Sequence, residues 1–201
     1  MVLVVITVIV GYLLGNLNGA VCVSQLMGDD VRSHGSGNAG LTNFIRSYGA
    51  GRSMLVIVID AGKAVLSCVI GGLLLMKSSG FQTGAAIGGA AVMLGHVFPA
   101  FLNFRGGKGI LSGLFIAIIV DWRVALLILA VFALFYLTTQ YVSLGSVLAA
   151  ITFGVGFVVF HHDNLAVMLC GVFMSLLATF MHWQNLVRLI KGEERKTNLF
   201  K

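Results

Sequence analysis

Residues 110–139 read ILSGLFIAIIVDWRVALLILAVFALFYLTT, and whether they cross a membrane once or twice decides the fold. A transmembrane helix needs roughly 20 apolar residues. This stretch is too long for one comfortable span, and Asp121-Trp122-Arg123 divides it. The reading adopted is two short helices with a turn at those three residues.

Composition puts the question in a membrane. The chain has 201 residues, 58% hydrophobic and 10% charged. A soluble domain carries about a quarter of its residues as charges. The class is therefore an all-α, polytopic membrane helix bundle forming a single domain over 1–201. Working outward, further spans are expected at 1–24, 54–76, 84–102, 142–160 and 165–181, which makes seven. Asn16 and Asn18 in the first span suit interhelical hydrogen bonds.

Charge orients the bundle. Arg32, Arg46, Arg52, Arg105, Lys108 and the tail cations Arg188, Lys191, Arg195, Lys196 and Lys201 fall on one side; Lys77 and Arg123 fall on the other. The positive-inside rule then puts the N-terminus outside and the C-terminus in the cytoplasm. A single span over 110–139 would send the basic tail outside. The net charge of +6 does not imply nucleic acid, because no basic stripe interleaved with aromatics is present. The first apolar run lacks the basic region of a signal peptide. Cys22, Cys68 and Cys170 lie inside apolar runs without CxxC spacing and read as small buried hydrophobes.

Two Gly-rich segments land on the basic side. In the first, Ser36, Gly37, Asn38, Gly40, Thr42, Asn43 and Arg46 combine hydroxyls, amides and one cation. Glycines let a backbone turn its N–H groups toward an anion, and an arginine binds two phosphate oxygens. The second is Arg105-Gly106-Gly107-Lys108-Gly109, preceded by His96 and Pro99. Fixed cations among small residues suit a phosphate. Gly109, and then Ile110, follow Lys108 where a Walker loop carries Ser or Thr, so no nucleoside triphosphate is implied. His96 reads as a general base, a phosphate donor or a packed histidine. His182 and Asn185 share a helix face, Arg188 continues that polar end, and Glu194 either is a tail charge or pins the tail to the loops. Asp60 and Lys63 have the spacing of an intramembrane pair, functional or locking. His161, His162 and Asp163, like Asp121 and Arg123, read as solvated turns on the opposite face.

Several chemistries are missing from the sequence. There is no HxxxxD dyad of acyl-CoA-dependent acyltransferases, no GxSxG elbow and no clustered acidic metal site. Catalysis would be metal-free and cofactor-free, resting on positioning and charge stabilisation. The competing readings are a phosphate or organophosphate carrier and a lipid phosphatase. The first predicts polar residues running through the membrane, and the far halves of most spans are apolar. The second wants a PSGH-like segment, and Gly95-His96 lacks the Pro-Ser.

SGNAGLTNFIR at 36–46, GHVFPAFLNFRGGKG at 95–109, YVSLGS at 141–146 and HWQNLVRLIKGEERK at 182–196, in that order, resemble the bacterial acyl-phosphate:glycerol-3-phosphate acyltransferases, the PlsY family. The resemblance runs from about Tyr12 to Lys196. It implies a bacterial inner-membrane enzyme with a cytoplasmic active site. That enzyme moves a fatty acyl group from acyl phosphate to the 1-hydroxyl of glycerol 3-phosphate, giving lysophosphatidic acid and phosphate in the first step of phospholipid synthesis. By the same resemblance, Ser36, Gly37, Asn38, Gly40, Thr42, Asn43 and Arg46 hold acyl phosphate. Arg105, Gly106, Gly107, Lys108, Gly109, Ser143, His182 and Asn185 hold glycerol 3-phosphate. Ser36, Arg46, His96, Lys108, His182 and Asn185 are the catalytic set; Asp60, Lys63 and Glu194 are structural. Membrane lipid and the enzyme that makes acyl phosphate from acyl carrier protein are the implied partners. Gln140, Trp183, Ala64 and Asn16-Leu17-Asn18 depart from the family pattern, at positions outside the chemistry.

Overall fold

A computed structural model describes residues 1–197, and Lys201, counted above among the tail cations, lies outside the described residues. Every regular element among them is helical. The helices are α1 (Val2–Gly15), α2 (Gly19–Leu26), α3 (Leu41–Tyr48), α4 (Ser53–Ser79), α5 (Phe81–Val97), α6 (Ile110–Val120), α7 (Trp122–Thr139), α8 (Val142–Phe160), α9 (Leu165–Met181) and α10 (Trp183–Ile190). Five segments are long and apolar enough to cross a membrane: Val2–Leu26, Ser53–Ser79, Phe81–Leu102, Trp122–Thr139 and Val142–Phe160. A sixth arises if α9 and α10, bent by 52°, count together.

The stretch 110–139 divides where its charges are. Asp121 is extended and caps α7, its Oδ1 accepting from the Arg123 N–H at 2.9 Å. α6 has only 11 residues. It nevertheless runs from the Gly109 end of the bundle to the other end, where Gln82 at the start of α5 donates to the Val120 carbonyl at 2.9 Å.

α5 is the central helix, packed against α1, α4, α6 and α9. Its small residues allow this. A Cβ on Gly15 would sit 2.7 Å from the Cα of Gly95, so α1 and α5 touch backbone to backbone. Close approach through small residues is how membrane helices gain dispersion energy when lipid removes the hydrophobic drive. Large apolar side chains such as Leu13, Leu66, Leu126, Leu137, Leu169 and Phe180 are exposed on the outside of the bundle. That is the expected surface of a helix bundle solvated by acyl chains.

Two expectations need correction, and the polar connection after the first span gains a helix. The first span is not one helix: it breaks between α1 and α2 at Asn16-Leu17-Asn18. The asparagines serve the freed helix ends, with Asn16 Nδ2 donating to Tyr12 O at 2.7 Å and Asn18 Oδ1 accepting from Val21 N–H at 3.0 Å. They also tie in other segments, with Asn16 Oδ1 accepting from Phe101 N–H at 3.0 Å and Asn18 Nδ2 donating to Ala39 O at 2.9 Å. The polar connection after the first span is partly helical, since α3 is amphipathic and buries Phe44. Finally, Asp121 and His161 are not solvated. Both are buried and 3.0 Å apart, and Asp121 also pairs with Arg123 at 2.6 Å. This clamp ties the α6–α7 turn to the α8–α9 turn.

Candidate active site

The first Gly-rich segment is shaped by Asn43. Its Nδ2 donates to the carbonyls of Val31, His34 and Asn38 at 3.0–3.1 Å, and its Oδ1 accepts from Ser36 N–H at 2.9 Å. The side chain is 2% exposed. It has no donor to spare for a phosphate, so the expectation of a direct ligand at Asn43 gives way to a loop clamp. Around it the chain turns through Gly35 and Gly37, both at positive φ. Ser36 and Gly37 are left exposed, Asn38 and Thr42 half-buried. Gly40 precedes α3, which carries Arg46.

The second segment folds back on the end of α5. Gly107 N–H donates to His96 O at 3.1 Å and Gly106 N–H to Val97 O at 3.2 Å. These two amides are occupied by backbone, so the role expected of them as anion donors is not what the geometry gives. The glycines are needed for space: a Cβ on Gly106 would lie 1.9 Å from His96 O, and one on Gly107 would lie 2.2 Å from His96 Nε2 and 2.8 Å from Ala39 O. The second contact is with the first segment, so the two Gly-rich segments meet at Gly107 and Ala39. Gly109, left-handed, starts α6. The first-turn N–H groups of a helix have no intrahelical partner, and they favour an anion beside Lys108.

Side chains 77 residues apart converge here, with Lys108 Nζ donating to Asn185 Oδ1. Asn185 Nδ2 in turn donates to Glu194 at 3.1 Å, and Arg188 pairs with the same carboxylate at 2.8 Å. Arg46 donates from Nε to Thr197 Oγ1 at 2.7 Å and from its terminal nitrogen to Arg195 O at 3.3 Å. Thr197 N–H donates to Gln140 O at 3.1 Å. The first segment, the second, the α7–α8 turn and the tail are thus one cluster, in which Arg46, Lys108 and Arg188 surround the Glu194 carboxylate. Burial, then Arg188 and Arg46, hold the Lys108 ammonium down to about 8, against the opposing pull of Glu194.

His182 sits at the bend between α9 and α10. Its Nδ1 lies 2.8 Å from Ala178 O. A carbonyl only accepts, so Nδ1 carries the proton and the lone pair is on Nε2. Ser143, in the first turn of α8, has a buried Oγ without a partner. Asp60, Lys63 and His96 form a second buried group, with Lys63 2.8 Å from Asp60 and 2.7 Å from His96 Nδ1. Arg105 is not brought into the Lys108 cluster; it is exposed and lines a separate cleft of about 540 Å³ with Asp30, Arg32, Ser33 and Asn103.

Sequence reasoning missed Thr197, which holds Arg46 from the far end of the chain and has no local sequence signal. It marked Asn18 for a hydrogen bond between helices, whereas the partner is Ala39 O in the first segment. It also missed a narrow apolar cleft of about 30 Å³ lined by Gly109, Met93, Gly113, Phe153 and Met174.

A bundle with this site has known counterparts. The family model described as glycerol-3-phosphate acyltransferase matches residues 5–192.

The chain belongs to the glycerol-3-phosphate acyltransferase family.

It is 36% identical to the glycerol-3-phosphate acyltransferase of Thermoanaerobacter sp. (strain X514) over 193 residues, covering 96% of this chain and 94% of the relative. The Finegoldia magna enzyme is 33% identical over 189 residues, 94% of this chain and 93% of that one. Among solved structures, the glycerol 3-phosphate form of PlsY (YgiH), an integral membrane glycerol 3-phosphate acyltransferase, superposes with a TM-score of 0.86 at 31% identity, covering 98% of this chain and 99% of that one. Its lysophosphatidic acid form gives 0.83 at 31% identity, with 98% and 96% covered. As a member of this family the chain is an integral, multi-pass membrane acyltransferase.

Proposed function

We propose that the protein transfers a fatty acyl group from acyl phosphate to the 1-hydroxyl of sn-glycerol 3-phosphate, releasing lysophosphatidic acid and phosphate. The observation that carries this is the meeting of Arg46, Lys108, Arg188 and Asn185 at one end of a membrane bundle. Such a site takes phosphate at the membrane face, where an acyl tail can lie in the adjoining apolar phase. Two PlsY structures, one described as a glycerol 3-phosphate form and one as a lysophosphatidic acid form, support the same acceptor and product here. Ser36, Asn38, Thr42 and Arg46 hold acyl phosphate around the loop that Asn43 clamps. Lys108, Ser143, His182 and Asn185 hold glycerol 3-phosphate.

The reaction needs neither metal nor cofactor in this scheme. The phosphate of a mixed anhydride is a good leaving group, and cations stabilise charge on it as it departs. The hydroxyl proton passes to an oxygen of the acyl phosphate, with His182 orienting the acceptor. A second reading has His182 as general base, favoured by the lone pair that its bond to Ala178 O leaves on Nε2. His182→Gln separates the two: much activity survives under substrate assistance and none under direct base catalysis.

The cation-rich end faces the cytoplasm of a bacterial inner membrane by the positive-inside rule, with the N-terminus outside after seven crossings. A supplier of acyl phosphate from acyl carrier protein is the functional partner. The test uses purified protein with palmitoyl phosphate or palmitoyl-CoA and glycerol 3-phosphate, reading phosphate and lysophosphatidic acid by mass spectrometry. Product from the phosphate donor alone, lost in Lys108→Ala, is expected. Product from the thioester, or phosphate release without lysophosphatidic acid, overturns the reading.

A further inference from the structure

Asp60, Lys63 and His96 are each no more than 4% exposed, deep between α4, α5 and the break in the first span. Lys63 Nζ lies 2.8 Å from Asp60 Oδ1, 2.7 Å from His96 Nδ1, 2.5 Å from Leu17 O and 3.4 Å from Gly15 O. Asp60 Oδ1 also accepts from Gly19 N–H at 3.0 Å. An ammonium group only donates. His96 Nδ1 must therefore accept from it, and the neutral ring carries its proton on Nε2.

That Nε2–H points to a particular place. It faces Gly107, where only the absence of a Cβ leaves room, at the seam where Ala39 of the first segment meets the second. None of the described residues accepts this proton in a hydrogen bond. An aimed donor with no acceptor, between two segments that carry Arg46 and Lys108, has the chemistry of a phosphate-oxygen ligand.

We propose that Lys63 and Asp60 are positioning residues, which fix His96 as the Nε2–H form so that it donates to a substrate phosphate at the seam of the two Gly-rich segments. The transmembrane ion pair then does more than lock helices. It joins the broken first span, through Leu17 and Gly19, to the donor at the site. This rests on the reading that the substrates carry phosphate. Without an oriented proton the ring could present its lone pair to an anion, and repulsion would replace attraction.

Side-chain geometry supplies the test. His96→Asn keeps an acceptor where Nδ1 stands but loses the donor at Nε2; His96→Gln restores an N–H there. Steady-state kinetics on folded variants should show KM for one phosphate substrate rising about tenfold or more in His96→Asn, with kcat changed much less, and substantial recovery in His96→Gln. Lys63→Met alone strands a buried carboxylate and is a poor folder, so Asp60→Asn/Lys63→Met removes both charges together. Its KM should rise as in His96→Asn.

Nitrogen-15 histidine spectra give a readout that needs no turnover. Wild type should show His96 protonated at Nε2, and inorganic phosphate should shift that signal; the double variant should show a mixture of ring forms. An Nδ1–H form in wild type, or an unchanged KM in His96→Asn, overturns the proposal. If phosphate leaves the His96 signal unmoved in protein that turns over, the proposal fails while the acyltransferase reading stands. If phosphate moves the signal in protein that transfers no acyl group, the function fails and the donor role stands.

Discussion

Arg46 donates its guanidinium to the hydroxyl of Thr197, a residue 151 positions further along the chain. The contact draws the tail across the cluster and points an otherwise exposed cation at the site. Arg46→Ala removes the cation itself. A hydrogen bond to a charged group is worth about 1.5–3 kcal/mol, so kcat/KM for acyl phosphate should fall about 10- to 100-fold. Thr197→Val only releases the strap, and should cost less than about threefold in kcat/KM while lowering Tm slightly, in line with a neutral hydrogen bond of about 1 kcal/mol. Equal losses in both variants would show that the strap itself belongs to the reacting assembly.

Lys108 sets a pH limit. Its ammonium is held down to about 8, below an ordinary lysine, mainly by burial. It is charged below that pH and neutral above it. If the charge binds glycerol 3-phosphate, kcat/KM is flat from the point where the substrate is a dianion, roughly pH 6, and then declines above about pH 8. Bound phosphate favours the ammonium, so the same limb in kcat should move to higher pH. Lys108→Arg should remove the alkaline limb from both profiles. A wild-type profile level through pH 10 would refute the assignment.

Gly107→Ala tests the seam. The added methyl carbon would fall 2.2 Å from His96 Nε2 and 2.8 Å from Ala39 O, far inside contact distance. Activity should drop more than about tenfold. Relief requires the two segments to part, so most of the loss should appear in KM. Circular dichroism should remain that of a folded helix bundle.

Glu194 holds Asn185 and Arg188 with one carboxylate. Glu194→Ala should destabilise by about 1–3 kcal/mol, the cost of leaving buried hydrogen-bonding groups unmatched. Arg188 is 37% exposed and recovers part of that from water. Glu194→Gln keeps an acceptor for Asn185 and should lie between Ala and wild type in a thermal unfolding series.

At the opposite end, Asp121→Asn should lower Tm because His161 and Arg123 lose their shared partner. KM for either substrate should not move, since none of the three contacts the site.

The sequence by itself determined the class. Its apolar content leaves no soluble alternative, and the length of 110–139 with Asp121 near its middle signals a helix break there, because that side chain can cap the next helix locally. It also marked the two Gly-rich segments and the pair His182 and Asn185, since short spacings between small, polar and cationic residues survive as local signals, although the bend between α9 and α10 at His182 was not among them. Only the tertiary structure decided which of those residues can face a ligand. Asn43 looks like a phosphate donor in the sequence, yet four backbone groups occupy its amide. Gly106 and Gly107 look like anion-binding amides, yet they give their N–H groups to the end of α5. Asp60 and Lys63 show their pairing in their spacing, but not their hold on His96, 33 residues away. The physical reason is that a hydrogen-bonding group is used up by whichever partner the fold brings nearest, and across a helix bundle that partner is set by packing, not by sequence distance.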